Sequence, residues 1–351
     1  MVLRRVFATL GAGVAMSMMQ VQGAEVARPP QFVMLAFDNC SELARWQDLT
    51  NFSAAMDRAG ERVRFTFFVS GINYIEDADR GVYQGPGQRR GYSSINFGGS
   101  AADVKKRVDF INAFYAQGHE IASHAVGHFN GAYWSAAQWE REFASYRDIV
   151  ANAGAKARTE TSRLEVPFEK IVGFRAPYLS IGAGLYAALR HDGFRYDTSG
   201  TSYPDQWPQK RDGLWRFDLV ELKIDGLGSR ALSMDYNFFV AQSRGRIDRR
   251  RAERFKQQML ATYLDYFRAS YTGNRAPLNI GHHFEAYQGG VYNEALEEFA
   301  RRVCGLPEVK CATYSELADF MDGQTPETLA AWQKGDFPHA PEPTKSARVV
   351  Q

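Results

Sequence analysis

The chain has 351 residues, of which 45% are hydrophobic and 23% charged, and its formal net charge at pH 7 is +2. This composition is typical of a globular protein with enough apolar residues for a core, as one domain of roughly 300 residues or two smaller ones. A nucleic-acid-binding protein would need a basic stripe or a pI well above about 9, so the charge balance argues against that class. The longest run of like charge is Arg249-Arg250-Arg251, which we interpret as a solvated helix face.

The N-terminal segment has the pattern of a secretory signal peptide. Arg4 and Arg5 precede an apolar stretch at 6–19, and small and polar residues follow at 21–24. The stretch is shorter than the ~20 residues that a membrane-spanning helix needs, and no second run of that length occurs. We therefore predict a signal peptide at 1–24, export to the periplasm or beyond, and no stable membrane span after cleavage.

Short apolar segments alternate with helical patterns along the rest of the chain. Residues 31–37 and 63–69 are apolar runs typical of buried strands, and a helical segment at 49–59 separates them, which is the spacing of a βαβ unit. This alternation predicts a parallel sheet covered by helices, either open or closed into a barrel. Further helices are predicted at 101–117, 135–153, 181–191, 248–270, 291–303 and 315–322, and further strands at 119–123, 170–174, 194–197, 219–224, 277–282 and near 310–313.

Two segments interrupt this alternation. Residues 73–100 are rich in glycine and dotted with aromatic residues, which is typical of a functional or mobile loop. Residues 323–351 are rich in proline and polar residues, so we expect a loosely ordered tail there. A single domain at 25–322 remains between the signal peptide and this tail.

Polar residues with catalytic potential follow several of the predicted strands. Asp38, after the first strand, occupies a position where such folds place active sites, although a helix N-cap role is an alternative. His124 and His128 have the four-residue spacing that recurs among zinc ligands, but ordinary hydrogen-bonded histidines often share it. Arg175 lies in a third motif, Gly173-Phe174-Arg175-Ala176-Pro177-Tyr178.

A fourth motif is the strand segment Leu278-Asn279-Ile280-Gly281-His282-His283. Strand alternation places Ile280 and His282 on one face and His283 on the other. We expect the face of Ile280 and His282 to be the functional one, although the sequence leaves the choice between the two histidines open.

In this order the motifs resemble those of the polysaccharide deacetylases (NodB-homology, carbohydrate esterase family 4), over about residues 31–320. The resemblance implies a distorted (β/α) barrel of about seven parallel strands that removes acetyl groups from a glycan with N-acetylglucosamine units. Chitin deacetylase-like members are the nearest in motif, and chitin-type oligosaccharides, peptidoglycan and exopolysaccharide remain possible substrates.

The resemblance also implies a role for each motif residue. Asp38 would be the general base, paired with Arg175, and His282 the general acid that protonates the leaving amine. His124, His128 and Asn39 would hold a divalent metal, most simply Zn²⁺, with Co²⁺ or Mn²⁺ as alternatives. The implied substrate contacts and supporting residues are the Tyr178 backbone N–H at the oxyanion, Ile280 beside the acetyl methyl group, and Asp197 as a partner of the acid, for which Asp235 competes.

Asn39 departs from the family pattern, which has a metal-ligating aspartate at this position. An asparagine oxygen can coordinate a metal but brings no negative charge, so weaker zinc binding is expected. The alternative is a catalytically inactive glycan-binding relative that has lost its metal. Hydrolysis of another C–N bond, such as that of a cyclic amide, is a third class, against which the export signal argues.

The remaining candidates are aromatic residues and cysteines. Trp134 belongs to a group of Tyr and Trp residues that could stack on sugar rings, although core packing explains such residues equally well. In an oxidising compartment Cys304 and Cys311 could close a small disulfide loop, which would leave Cys40 as a buried thiol.

Overall fold

The computed structural model describes residues 26–153 and 163–339. The predicted signal peptide and the last part of the predicted tail lie outside these residues. The strands are β1 Gln31–Asn39, β2 Phe65–Val69, β3 Glu120–Ser123, β4 Gly173–Phe174, β5 Tyr196–Asp197, β6 Thr201–Ser202, β7 Gln209–Arg211, β8 Leu214–Arg216, β9 Leu219–Lys223, β10 Arg230–Leu232, β11 Leu278–His283 and β12 Val309–Cys311. The α-helices are α1 Leu43–Arg58, α2 Ala101–Ala116, α3 Ala136–Ala151, α4 Ala183–His191, α5 Asp235–Ser243, α6 Ala252–Thr272, α7 Val291–Val303, α8 Tyr314–Asp322 and α9 Pro326–Lys334.

The main sheet runs in the order β11-β1-β2-β3-β4-β5-β8-β7, with β12 paired to the start of β1. All pairings in this sheet are parallel except that between β7 and β8. The sheet is curled, and the prediction of a mostly parallel, distorted (β/α) barrel is confirmed. Because the strands are parallel, the side chains that follow their carboxyl ends meet at one edge.

The two faces of β1 point into different cores. Val33, Leu35 and Phe37 pack in the large core between the sheet and the covering helices. Met34 and Ala36 belong to the cluster inside the curled sheet. Asp38 lies on the same face as Met34 and Ala36, so strand alternation places its carboxylate in the interior, at the carboxyl edge of the sheet.

The segment predicted as a strand at 219–224 is a strand but does not join the main sheet. It forms β9 of a small sheet with the order β10-β9-β6, in which β9 and β10 are antiparallel. This small sheet lies beside β11, where the N–H of Gly281 donates to the carbonyl of Ser233 (2.9 Å). The main sheet thus stays open between β11 and the β7–β8 hairpin, and a cavity of about 640 Å³ is lined by residues of both, among them Arg216 and Asn279.

The first part of the predicted tail is ordered, so the expectation of a loose segment from residue 323 is wrong there. The helix α9 packs its buried Trp332 ring flat against Phe320, with 5.4 Å between ring centroids. The Trp332 indole N–H donates to the carbonyl of Ala27 (2.9 Å), which ties this helix to the segment before β1. Burial of this one large aromatic side chain thus stabilises the segment despite its polar composition.

Two further predictions concern the loop at 73–100 and the cysteines. The loop contains short 3₁₀ turns and packs against the His128 segment, where the N–H of Ser94 donates to the carbonyl of Gly127 (3.0 Å). Cys304 and Cys311 are joined by a disulfide bond, and Cys40 is a buried free thiol. No helix within residues 26–153 and 163–339 is long and apolar enough to cross a membrane.

Candidate active site

The motif residues meet at the carboxyl edge of the main sheet. Asp38 is the second-last residue of β1, His124 follows β3, Arg175 follows β4 and His283 ends β11. Asp38 and His283 are direct neighbours in the register between β1 and β11. These four positions, distant in sequence, therefore form one site at the place expected for an active centre in a parallel barrel.

Asp38 and Arg175 form a buried ion pair at the centre of this site. The Arg175 guanidinium donates from Nη1 to Asp38 Oδ1 (2.7 Å), and both side chains are almost fully buried. Its other nitrogens are also bonded, to the Thr198 hydroxyl (2.7 Å) and the Tyr314 hydroxyl (3.1 Å). Burial disfavours the charged guanidinium, but Asp38 outweighs this and raises the pKa of Arg175. A carboxylate held in one orientation beside a permanent cation suits a general base.

His124 and His128 lie side by side, with ring centroids 5.1 Å apart. His124 Nδ1 lies 2.7 Å from the carbonyl oxygen of Arg175. Since a carbonyl can only accept, Nδ1 carries the proton and Nε2 keeps a lone pair for a ligand. Burial lowers the pKa of both imidazoles, that of His128 to about 3, so they are neutral at pH 7 as metal ligands must be.

Asn39 adds an unsatisfied oxygen to this part of the site. Its Oδ1 is buried and has no hydrogen-bond partner, and its backbone is left-handed (φ 67°). Buried polar atoms without partners are rare in folded proteins, so an oxygen of this kind fits the role of a metal ligand. Within the part of the chain that the structure describes, no three His, Cys, Asp or Glu side chains are arranged to hold a metal. A metal here would therefore need the Asn39 amide oxygen or water to complete its ligands.

The prediction that His282 and Ile280 face the site is wrong. Both residues share a face, as predicted, but it is the outer face, which packs into the core under the helices together with Phe37. His282 is fully buried against Tyr263, whose hydroxyl lies 3.2 Å from His282 Nε2. Burial lowers the pKa of His282 to about 4. His283 is the histidine that stands on the inward face beside Asp38.

His283 is held by Asp235. The prediction that Asp197 is the partner of the acid histidine is therefore wrong. Asp235, at the start of α5, accepts from His283 twice, at the backbone N–H (2.9 Å) and at Nδ1 (2.7 Å). Burial alone would lower the pKa of His283, but the Asp235 carboxylate outweighs it and raises that pKa to about 9. A histidine that stays protonated at neutral pH can act as a general acid.

Asp197 has different partners. Its carboxylate accepts from the Ser199 hydroxyl (2.6 Å) and lies 3.5 Å from Arg216. Burial raises the pKa of Asp197 to about 6. The sequence signal that distinguishes the two aspartates is weak, because Asp235 begins a helix and reaches His283 only through the packing of the small sheet against β11.

Two aromatic residues predicted to contact the substrate, Tyr178 and Trp134, differ in their exposure. Tyr178 is 61% exposed, and its ring lies edge-on to His128, with 4.8 Å between centroids. Trp134 is half-buried and packs edge-on against Trp139 at 4.8 Å. Contact of the Trp134 ring with a sugar and the role of the Tyr178 backbone N–H both stay predictions.

Left-handed backbone is concentrated in this site. Non-glycine residues rarely adopt a positive φ, yet several do so around the carboxylate, imidazoles and Arg175 motif. Such conformations cost about 1 kcal/mol each and persist where the surrounding structure enforces them, most often at functional sites. The residues are Asn39, Cys40, Ala125, His128, Tyr178 and Leu179.

Comparisons with known proteins agree with this fold. The family described as "Polysaccharide deacetylase" matches residues 25–196. A putative polysaccharide deacetylase from Mycobacterium smegmatis has a similar structure (TM-score 0.51, 16% identity), covering 92% of this chain and 98% of that one. A probable polysaccharide deacetylase from Pseudomonas aeruginosa PAO1 is also similar (TM-score 0.50, 17% identity), covering 86% of this chain and 93% of that one. No curated protein sequence matched the chain. The matched segment contains the Asp38, His124, His128 and Arg175 motifs, so this part of the chain is similar to the polysaccharide deacetylase family.

Proposed function

We propose that this protein is an exported, metal-assisted hydrolase that removes N-acetyl groups from a glycan containing N-acetylglucosamine units. The observation that carries the proposal is the meeting of three functions at one sheet edge. These are a base held by a cation (Asp38 with Arg175), two adjacent neutral imidazoles together with a buried, unpartnered amide oxygen at the end of β1, and a protonated histidine (His283) paired with Asp235. Amide hydrolysis needs each of them.

His124, His128 and Asn39 are the residues that would hold the metal. When bound, a divalent cation polarises the amide carbonyl and acidifies a water at neutral pH. Zn²⁺ suits two imidazoles and one oxygen, and Co²⁺ or Mn²⁺ would also accept these ligands. The neutral amide of Asn39 predicts a weaker hold on the metal than a carboxylate would give.

Two side chains of the protein carry out the two proton transfers of the reaction. Asp38 accepts the proton of the attacking water while Arg175 keeps the carboxylate in its orientation. The backbone N–H of Tyr178 would donate to the oxygen that becomes negative. His283 then donates its proton to the amide nitrogen as the C–N bond breaks, because an amine anion is a very poor leaving group. Acetate and the free amine of the sugar are the products.

The first experiment measures acetate release from N-acetylglucosamine oligomers by the purified mature protein. The enzyme is assayed after chelation and again after addition of Zn²⁺, Co²⁺ or Mn²⁺, with Asp38→Ala as the control. Activity that returns with metal and is absent in the control supports the proposal. If all three metals fail to restore activity on the oligomers, on peptidoglycan and on acetylated exopolysaccharide, the protein is a non-catalytic glycan-binding relative.

A second experiment decides between the two adjacent histidines. His283→Gln should lower kcat about a hundredfold or more, since it removes the proton donor. His282→Gln should lower the free energy of unfolding by about 1–3 kcal/mol through the lost contact with Tyr263, with a much smaller effect on kcat. The reverse pattern would return the acid role to His282.

A further inference from the structure

A dense arginine cluster lies on the surface next to the candidate site. The segment 244–254 contains six arginines, two acidic residues and no lysine. All six arginines are exposed, and among the described residues the only ion pair that this cluster makes is Arg251 with Asp248 (2.7 Å). We call these residues the arginine surface: Arg244, Arg246, Arg249, Arg250, Arg251 and Arg254.

Local structure does not account for these side chains. Arg244 directly follows α5 in a left-handed conformation (φ 57°), a position that favours glycine or asparagine. Arg249, Arg250, Arg251 and Arg254 lie around the N-terminus of α6, where the helix dipole disfavours cations. The arginines thus occupy positions at a helix C-terminus and a helix N-terminus that local structure disfavours for them. Such exceptions are expected where side chains bind a partner.

The arginine surface is connected to the site by a single short helix. Asp235, the partner of His283, begins α5, and Arg244 follows its last residue about 13 Å away. Tyr236, Val240 and Arg244 are four residues apart and therefore share one face of this helix. The first two are 48% and 41% exposed, and the Tyr236 ring lies 6.4 Å from the His283 ring. An exposed strip thus leads from His283 to the arginines.

The loop that carries the arginines is fixed on the same side. Gln288 donates from its amide nitrogen to the carbonyl of Arg246 (2.8 Å) and accepts from the N–H of Asp248 (2.7 Å). The adjacent Tyr287 ring lies 6.2 Å from the His283 ring. Gln288 therefore links the loop that contains Arg246 and Asp248 to the segment that follows β11, which fixes this loop on the side of the candidate site.

We propose that the arginine surface binds the acidic groups of a polyanionic glycan while an N-acetylated unit of the same polymer occupies the candidate active site. This rests on the proposed function and names its substrate class, an acidic polysaccharide in place of neutral chitin. The planar guanidinium group donates two parallel hydrogen bonds to a carboxylate, sulfate or phosphate, which suits arginine better than lysine to this role. Clustered positive charge also raises the rate at which a polyanion reaches the site.

A membrane surface is the competing partner, and the exposed side chains argue against it. Helices that lie on membranes combine basic residues with a broad apolar face. Within 244–254, Ile247 is the large apolar side chain that is exposed, at 68%. Together with Tyr236 and Val240 on α5 it makes a narrow strip, which offers less area for insertion than a broad apolar face and does not hinder the approach of an extended polymer.

The test compares binding to polygalacturonic acid between two charge-reversed triple variants. One variant carries Arg246→Glu, Arg249→Glu and Arg250→Glu. The matched control carries Arg58→Glu, Lys106→Glu and Lys334→Glu, which are exposed positions on other helices. At low salt the first variant should bind about tenfold or more weakly than the wild type, and the control should stay within about twofold. Wild-type binding should weaken as salt is added.

Three results would overturn this proposal. They are equal loss of binding in both triple variants, no binding of the wild type to the polymer, or binding only to vesicles of phosphatidylglycerol with the same dependence on the arginines. Acetate release from neutral N-acetylglucosamine oligomers is measured in parallel and should be similar for all three proteins. If that activity is absent throughout while the binding difference remains, the proposed function fails and the polyanion site stands.

Discussion

The carboxylate of Asp235 accepts two hydrogen bonds from one residue, His283, through the backbone N–H and the ring Nδ1. This double contact fixes the ring orientation, and the negative charge stabilises the imidazolium form. It therefore sets the pH at which His283 could act as an acid.

Replacing Asp235 should move the alkaline limb of the pH profile. An acid must be protonated, so activity falls as the pH rises through the pKa of His283, which Asp235 raises to about 9 against the opposing effect of burial. Asp235→Asn removes the negative charge and should shift this limb to lower pH by about one unit or more. The profile of kcat/KM against pH measures it. Asp197→Asn is the control and should leave the limb in place, and equal shifts in both variants would refute the assignment.

Restoring a carboxylate at position 39 should strengthen metal binding. Asn39→Asp places a negative charge where the buried amide oxygen now lies without a partner. The affinity for Zn²⁺, measured by competition with a chelator, should rise about tenfold or more. Without metal the same variant should unfold at a lower temperature than the wild type, because the new carboxylate and that of the adjacent Asp38 repel each other. Unchanged affinity would place Asn39 outside the metal site.

Tyr314 should act as a positioning residue for the Asp38–Arg175 pair. Its hydroxyl accepts from Arg175 Nη2 (3.1 Å) and is hydrogen-bonded to the Asn279 side chain. Tyr314→Phe keeps the ring packing but leaves Arg175 and Asn279 without this partner, so kcat should fall about tenfold with little change in KM. Tyr196→Phe removes a buried hydroxyl from the same aromatic cluster and is the matched control. Equal losses of kcat in the two variants would show a purely structural role.

Acid should destabilise the protein through His119, outside the site. The N–H of Phe65 donates to His119 Nδ1 (2.9 Å), and the Ser53 hydroxyl lies 3.2 Å from Nε2, so the ring is held neutral. Burial lowers its pKa to about 3. Between pH 6.5 and about 3 the unfolded chain therefore binds a proton that the folded chain does not, and stability falls by about 1.4 kcal/mol per pH unit.

The control for His119 is an asparagine, which offers an oxygen near the Nδ1 position but does not titrate. The free energy of unfolding of His119→Asn, measured by urea titration across this pH range, should depend less steeply on pH than that of the wild type. Parallel curves for the two proteins would mean that other buried groups account for the acid sensitivity.

The sequence predicted those parts of the fold and site that depend on local pattern. Apolar runs and their spacing were sufficient for β1, β2 and the helices around them. They also located Asp38 at the end of β1 and Arg175 directly after β4. Alternation in β11 correctly showed that Ile280 and His282 share a face. It could not show which face points inward, because both faces of β11 are buried.

The errors come from contacts between segments far apart in the chain. Asp235 meets His283 because the small sheet of β6, β9 and β10 packs beside β11, and no local pattern shows that β9 leaves the main sheet. Likewise, the polar composition of 323–339 obscured one packed side chain, Trp332, whose indole bonds to Ala27.

That bond between Trp332 and Ala27 has a practical consequence. It brings the segment before β1 and the helix α9 together at the amino edge of the barrel, on the side opposite to Asp38 and His283. A surface linkage made at an exposed position of α9 would therefore hold the protein at the amino edge. Its candidate site, at the carboxyl edge, would still face a bulky, insoluble polysaccharide.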